Sequence, residues 1–441
     1  MRQANRRIRL LIAVFAVIFL AAFGRVAWLQ AVKAHALDRI ATSQHREERS
    51  VPARRGTIYD RTGRLLAFGE RATTVYANPR QVVDSKQVEN GRNVYLTLDH
   101  SLQRQVEKIL KRTRTNWSAK AATAVVMDVK TGGILALAVE PGFDANTYPN
   151  VSRWDEERLR NRAVTDTYEP GSTFKVVTVG GVLESGLVAP TTRFRLPGEI
   201  KVGDRVIHEA VTRGTQTMSV AQILSQSSNV GVITLAIQLQ RERLSEWIKR
   251  FGFGAKTGVD YPGETRGIVL PPDEWSGSTI GNVPIGQGIA VTPLQMVAAY
   301  GAIANDGVWV KPHLVEQVNG QEAAKPKTRR VISKQTAAQL TRMLRGVVEE
   351  GSGVTAQIDG YRVAGKTGTA AKPDPTGGYS TSRYVASFVG FAPASNPQIV
   401  VLVTVDEPRG AIWGGTVAAP AFAEIGQFAL EYLEIPPDRA R

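Results

Sequence analysis

Hydrophobic and polar residues follow different periods along this chain, and each period predicts an element. Four arginines in "MRQANRRIR" precede "LLIAVFAVIFLAAFG", and the apolar character resumes after Arg25 as "VAWLQAV". Leu10 to Val32 is long enough to span a bilayer, with Arg25 able to snorkel and Trp28 suited to the outer interface. Basic residues ahead of the span place residues 1–9 in the cytoplasm and everything after residue 32 outside. A cleaved signal peptide is the rival, since Ala22-Phe23-Gly24 is a tolerable cleavage site, but the apolar stretch continues past it.

Beyond the span, "GTIYD", the turn "RTGR", "LLAFG" and "TTVYANP" alternate in short pieces. They predict a small β-rich segment, residues 33–90, without a core of its own. "NVYLTLDHSLQRQVEKILKRT" gives a strand, Asp99 as a helix cap, and Leu102, Val106, Ile109 and Leu110 on one helical face. "TAVVMDV" and "ILALAVEP" read as two strands joined by the turn "KTGG". From Thr165 to about Gln240 the pattern is helical, broken at "VAPTTRFRLPGEIKVGDRVIHEA", and "SQSSNVGVITLAIQL" reads as a helix, a polar joint and a second helix. Pro293 to Ala304 is a buried helix. "YVASFVGFAPA" and "QIVVLVTVDEP" are near-continuous apolar strands, and a last helix runs from about Pro420 to Leu433. Strands outside and helices between them make residues 91–441 an α+β domain, one sheet covered by helices.

The composition, 43% hydrophobic and 22% charged over 441 residues, is that of a folded protein. There is no cysteine, so disulfides and thiolate metal sites are excluded. Histidines at 35, 45, 100, 208 and 313 form no H-x-x-x-H pair, which argues against a metal site. The net charge of +15 does not indicate nucleic acid, because the bulk of the chain lies outside the membrane. Basic residues around the span and in "HREERSVPARR" suit anionic lipid or wall polymer, and most of the remainder suits a solvated surface.

"GYRVAGKTGT" fits the phosphate-loop pattern G-x-x-x-x-G-K-[ST], and "IVVLVTVDE" follows as a metal-holding strand would. That reading needs a buried strand before the loop and a helix after it. "EEGSGVTAQID" is too polar for the strand, and Pro373, Pro375, Gly377 and Gly378 forbid the helix. "YRVAGKTGTA" reads instead as a short strand ending in a polar rim. Three elements then stand out: "STFK" at Ser172 to Lys175, "SSN" at Ser227 to Asn229, and "KTGT" at Lys366 to Thr369. K-T-G also occurs at Lys130 and Lys256, but those copies sit in turns. A serine hydroxyl needs a base to take its proton, and a neutral lysine one helical turn away can serve. With an ordinary pKa near 10.4 the neutral amine costs about 4–5 kcal/mol at pH 7, so burial and a second cation must lower it. Lys366 is the candidate cation.

S-x-x-K, S-D-N and K-T-G are the motif set of penicillin-binding proteins and β-lactamases, with Ser227-Ser228-Asn229 standing here for the second. Together with "RRGTIYDRTGRLLA", "YEPGSTFK", "SQSSNVG", "FGFGAKTGVDYPGE", "GQGIAVTPLQM", "YRVAGKTGTA" and "YVASFVGFAPA", they make the chain resemble a class B penicillin-binding protein, a membrane-anchored peptidoglycan D,D-transpeptidase, of the cell-division type. The resemblance implies a transpeptidase domain with an antiparallel sheet covered by helices. It implies Ser172 as acyl nucleophile, Lys175 as its base, Ser227 as proton relay to the leaving D-alanine, and Asn229 as a hydrogen-bonding partner of the peptide amide. Lys366 would supply positive potential, Thr367 and Thr369 beside Gly368 would bind the terminal carboxylate, and the N–H groups of Ser172 and Thr369 would hold the oxyanion. Peptidoglycan stem peptides, β-lactams and membrane lipid are the implied partners, with a polytopic glycan polymerase and division proteins; no cofactor is implied. The chain departs from the family in having only about three dozen residues between Arg61 and Val94, where a much longer pedestal is usual, which puts partner docking in doubt. A serine β-lactamase or β-lactam sensor, and a non-catalytic division scaffold, are the alternatives.

Overall fold

A computed structural model describes residues 2–31, 56–67, 91–142 and 160–439. It comprises two compact units, residues 1–52 and 53–441. In the first, Arg2–Ala31 is one helix. Within Asn5–Ala31 an 18-residue stretch reaches a mean hydropathy of 2.5 and is exposed among the described residues, and the helix is long and apolar enough to cross a membrane. The Arg25 guanidinium lies 4.9 Å from the centre of the Trp28 ring. Val32 and the expected strand "TTVYANP", like most of residues 33–90, lie outside the described residues.

The second unit is built on five antiparallel strands. In spatial order they are Ala364–Pro373, Tyr379–Ala392, Ile399–Asp406, Ala121–Asp128 and Ile134–Glu140. The last two are the strands expected on either side of "KTGG", whose turn is held by Asp128 Oδ1, accepting from Lys130 N, Thr131 N and Thr131 Oγ1. The central strands are near-continuously apolar because both faces are covered. Met127, Val400 and Leu402 pack in the core that contains the helix Pro293–Ala304. Val126, Val401 and Val403 pack with helices His100–Asn116 and Ala419–Tyr432, where the Phe388 and Phe422 rings lie 4.6 Å apart. Asp99 caps the first of these, accepting from Ser101 N and Leu102 N, and the expected face of Leu102, Val106, Ile109 and Leu110 is buried. Helix Pro293–Ala304 has the expected bounds, with Thr292 and Gln295 forming a capping box ahead of its N-terminal proline.

Two expectations need correction. The stretch read as a break between helices contains three short strands: Glu199–Val202 pairs with Arg205–His208, and Arg193–Leu196 pairs with Gln216–Ser219, which lies just beyond it in the part read as helical. Its period-two alternation, as in "RFRL" and "EIKV", carries the strand signal. The strand read as ending at Lys366-Thr367-Gly368-Thr369 instead begins at Ala364 and runs through them to Pro373. Proline is tolerated there because this is the outer strand of the sheet. The short pieces Ile58–Tyr59 and Leu65–Ala67 pair as expected, and Ile58–Tyr59 also joins Val94–Leu96, extending a sheet through Val315–Val318.

Candidate active site

Ser172 sits in the 3-10 turn Gly171–Phe174, and Lys175 opens the helix Lys175–Glu184. The turn is fixed on several sides. Gly171 has φ +55°, and a Cβ there would come within 2.8 Å of Thr369 O. Gly286, at φ +78°, lies so close that its Cβ would meet Gly171 O at 2.1 Å, which requires glycine at both positions. Tyr300 Oη donates to Thr173 O at 2.9 Å, and the Phe174 ring packs 5.1 Å from Phe253. Ser172 alone of the four turn residues is half-exposed; the others are buried.

The polar joint expected in "SQSSNVG" separates helices Val220–Ser225 and Asn229–Leu239. Ser227 occupies the left-handed region, φ +58°, a conformation that costs on the order of 1 kcal/mol in a non-glycine residue and is typical of functional sites. Here the structure adds a residue that sequence reasoning missed. Glu209, buried after the Arg205–His208 strand, accepts from Ser228 Oγ and, at 2.7 Å, from Asn229 N, while Arg213 pairs with it at 3.6 Å. Asn229 Nδ2 donates to His208 O at 3.0 Å. A glutamate some twenty residues before the motif gives no local signal; only the hairpin carries it there.

Lys175 Nζ donates to Ser227 O at 2.6 Å, Asn229 Oδ1 at 2.8 Å and Ser227 Oγ at 3.2 Å. Lys366 Nζ donates to Ser227 Oγ at 3.0 Å and to Thr367 Oγ1 and O, each at 3.3 Å. One serine hydroxyl therefore bridges two fully buried lysines. Burial first, then the neighbouring Lys366, hold the Lys175 amine well below its ordinary 10.5, against the pull of Glu209. Burial alone brings Lys366 down to about 7. Lys175's three donors all go to the S-x-N joint and none to Ser172. On losing a proton the amine keeps two of these bonds and frees a lone pair for the serine one turn away. Hydrogen bonds of this kind tighten only when substrate is present.

The cleft, about 670 Å³, is lined by Ser172, Ser227, Asn229, Thr367, Thr369 and Trp413 among others. Both lysines lie behind its surface and reach it through Ser227. Thr369 Oγ1 accepts from Gly414 N at 3.1 Å, and Thr367 Oγ1 meets Ser352 Oγ at 2.7 Å. All three motifs thus converge on one cleft. The other two K-T-G copies are structural. In the Lys256 loop, Glu264 accepts from Thr257 N, Thr257 Oγ1 and Gly258 N.

Comparison with known proteins gives the same picture. Residues 122–427 match the penicillin binding protein transpeptidase domain, and residues 50–164 match the penicillin-binding protein dimerisation domain. Penicillin-binding protein PbpB of Mycolicibacterium smegmatis is 36% identical over 376 residues, 82% of this chain and 57% of that protein. Stage V sporulation protein D of Bacillus subtilis is 36% identical over 370 residues, 81% of this chain and 56% of that protein. The chain thus spans little more than half the length of these curated relatives. The crystal structure of penicillin binding protein 3 from Mycobacterium tuberculosis complexed with ampicillin superposes with a TM-score of 0.82 at 34% identity, covering 88% of this chain and 97% of that one. The matched domains, the shared fold and the motifs gathered in the cleft make this chain a member of the class B penicillin-binding protein family.

Proposed function

We propose that the chain is a peptidoglycan D,D-transpeptidase that cross-links stem peptides through a serine acyl-enzyme during septal wall synthesis. The observation that carries this reading is the Ser227 hydroxyl bridging Lys175 and Lys366 beside Ser172. Relatives at this level of identity bear the same activity in their names, such as the probable peptidoglycan D,D-transpeptidase PenA of Neisseria gonorrhoeae, 34% identical over 382 residues.

Neutral Lys175 takes the Ser172 hydroxyl proton as Oγ attacks the carbonyl of the penultimate D-alanine. The oxyanion rests on the Ser172 and Thr369 N–H groups. Thr367 and Thr369 bind the terminal carboxylate in the positive potential of Lys366, and Gly368 between them, where a Cβ would meet Ser387 Oγ and Pro170 O, lets this substrate-binding strand lie against the nucleophile turn. As the C–N bond breaks, Ser227 passes a proton from the lysines to the leaving D-alanine nitrogen, and Asn229 bonds the peptide amide. An amine of a second stem peptide then attacks the ester, giving the cross-link and restoring Ser172. A β-lactam enters the same path and stays as an ester.

Residues 1–9 lie in the cytoplasm, 10–32 form the anchor, 33–90 a short pedestal, and 91–441 work outside the membrane. Membrane lipid, a polytopic glycan polymerase and division proteins are the partners at that surface. The lifetime of a labelled-penicillin adduct separates this reading from a β-lactamase. The ester is expected to persist through a long chase; its loss within seconds would make the protein a hydrolase.

A further inference from the structure

The helix Val220–Ser225 ends on a left-handed residue. Ser227 N donates to Leu224 O at 3.2 Å and Ser228 N to Ile223 O at 2.9 Å, the two bonds that close such an end. The left-handed position is most often glycine. Here it is Ser227, φ +58°, the residue whose hydroxyl bridges Lys175 and Lys366. A side chain in that conformation persists where its surroundings over-determine it.

The surroundings centre on one carboxylate, Glu209, whose side chain is 1% exposed. Its Oε1 accepts from Ser228 Oγ and its Oε2 from Asn229 N at 2.7 Å, so both oxygens hold the two residues directly after Ser227. Ser228 Oγ in turn accepts from Gly231 N at 2.9 Å and caps the helix Asn229–Leu239, an end that favours negative charge. One residue before Glu209, His208 O accepts from Asn229 Nδ2 at 3.0 Å, which leaves Asn229 Oδ1 facing Lys175 Nζ at 2.8 Å. The same short segment thus orients both side chains that Lys175 bonds. It also carries charge. After burial, the groups acting on Lys175 are Lys366 from strand Ala364–Pro373, Glu209, and Arg213 four residues beyond it. Lys366 and Arg213 favour the neutral amine, and Glu209 the ammonium. Arg213 lies 3.6 Å from Glu209, while the exposed His208 ring turns to Glu199 at 3.1 Å. Among the described residues that line the cleft, none is acidic.

We propose that Glu209 is a positioning residue of the transpeptidase site: its carboxylate holds Ser227 and Asn229 against Lys175 through Ser228 Oγ and Asn229 N, and supplies the negative charge set against Lys175 and Arg213. The inference rests on the transpeptidase reading. Glu209 itself touches no substrate and acts through the joint and through Lys175.

The test follows the rate at which saturating fluorescent penicillin labels Ser172 in the purified full chain in detergent, across pH, with thermal unfolding measured beside it. Neutral Lys175 is the base, so the rate falls on the acid side as the amine takes a proton. Glu209→Gln keeps an oxygen for Asn229 N and an N–H for Ser228 Oγ but loses the charge. Its acidic limb is expected to move about one pH unit lower, with a plateau within about fivefold of the unaltered protein. Arg213→Met removes a cation, and its acidic limb is expected to move the opposite way, to higher pH. Glu209→Ala gives up both holds on the joint, and its plateau is expected to fall about 10- to 100-fold. A residue that only supported the fold would lower the unfolding temperature and leave the limbs in place. An acidic limb unmoved in Glu209→Gln, or a folded Glu209→Ala as fast as the unaltered protein at the plateau, overturns the assignment. Should Glu209→Ala not fold, the other two variants decide it: limbs that do not move in opposite directions sink the proposal. If the penicillin fails to label Ser172 in the unaltered protein, the transpeptidase reading itself fails; if it labels Ser172 and the limbs stay put, only the role of Glu209 does.

Discussion

Lys175→Ala will slow acylation by a labelled penicillin by at least about a hundredfold, and up to about ten-thousandfold, the range that a positioned base contributes. The lysine is fully buried and one turn from Ser172, and its ordinary alternative, a solvated ammonium, is closed to it. Removing it also leaves Ser227 O and Asn229 Oδ1 without their donor. Each unpaired buried acceptor costs about 1–3 kcal/mol, which is offset by the loss of a desolvated amine. The fold is therefore expected to survive, and Lys175→Met, closer in volume, provides the control. Acylation constants measured beside thermal unfolding decide the matter. A folded variant that acylates within about tenfold of the unaltered protein would mean that another base acts.

Lys366→Met will produce the second large effect, and it runs in opposite directions for activity and stability. Acylation is expected to fall because Ser227 loses one of its two lysine donors and, in the proposed mechanism, the carboxylate loses its cation; about 10- to 100-fold is the scale of one charge-assisted bond. Stability rises at neutral pH. With its folded pKa down from 10.5 to about 7, the lysine binds fewer protons in the native than in the unfolded chain between those values, so the unaltered protein gains stability as pH climbs from 7 to 10.5. Below pH 7 both states are charged and the full burial penalty applies. At roughly 1.4 kcal/mol for each pH unit, the ceiling is about 5 kcal/mol. The variant is expected to lack this slope, so the two stabilities converge as pH approaches 10.5. A variant less stable than the parent at pH 7, with the parent's slope retained, would mean that the lysine is stabilising as an ion.

Much of this was legible from period and spacing. Asp99 as a cap, Leu102, Val106, Ile109 and Leu110 as a buried face, and Pro293 to Ala304 as a buried helix all follow from local chemistry, and the structure has them. The phosphate-loop resemblance at Gly360 to Thr367 fails on the same grounds, since an antiparallel strand, not a helix, runs from Ala364 through Lys366 and Thr367. The hairpins between Arg193 and Ser219 were hidden by brevity, since four-residue strands between helices look like interruptions. What brings Glu209 under the S-x-N joint is tertiary: Ser228 and Asn229, which it accepts from, lie some twenty residues further along the chain. The positive φ of Ser227 was likewise invisible, because nothing in "SQSSNVG" calls for it.

The position of the acyl ester tests the central claim most directly. The full chain is incubated with a labelled penicillin, digested, and the modified peptide sequenced by mass. The account expects a single adduct on Ser172 and none in Ser172→Ala. An adduct on any other residue, or no adduct on folded protein, would contradict it.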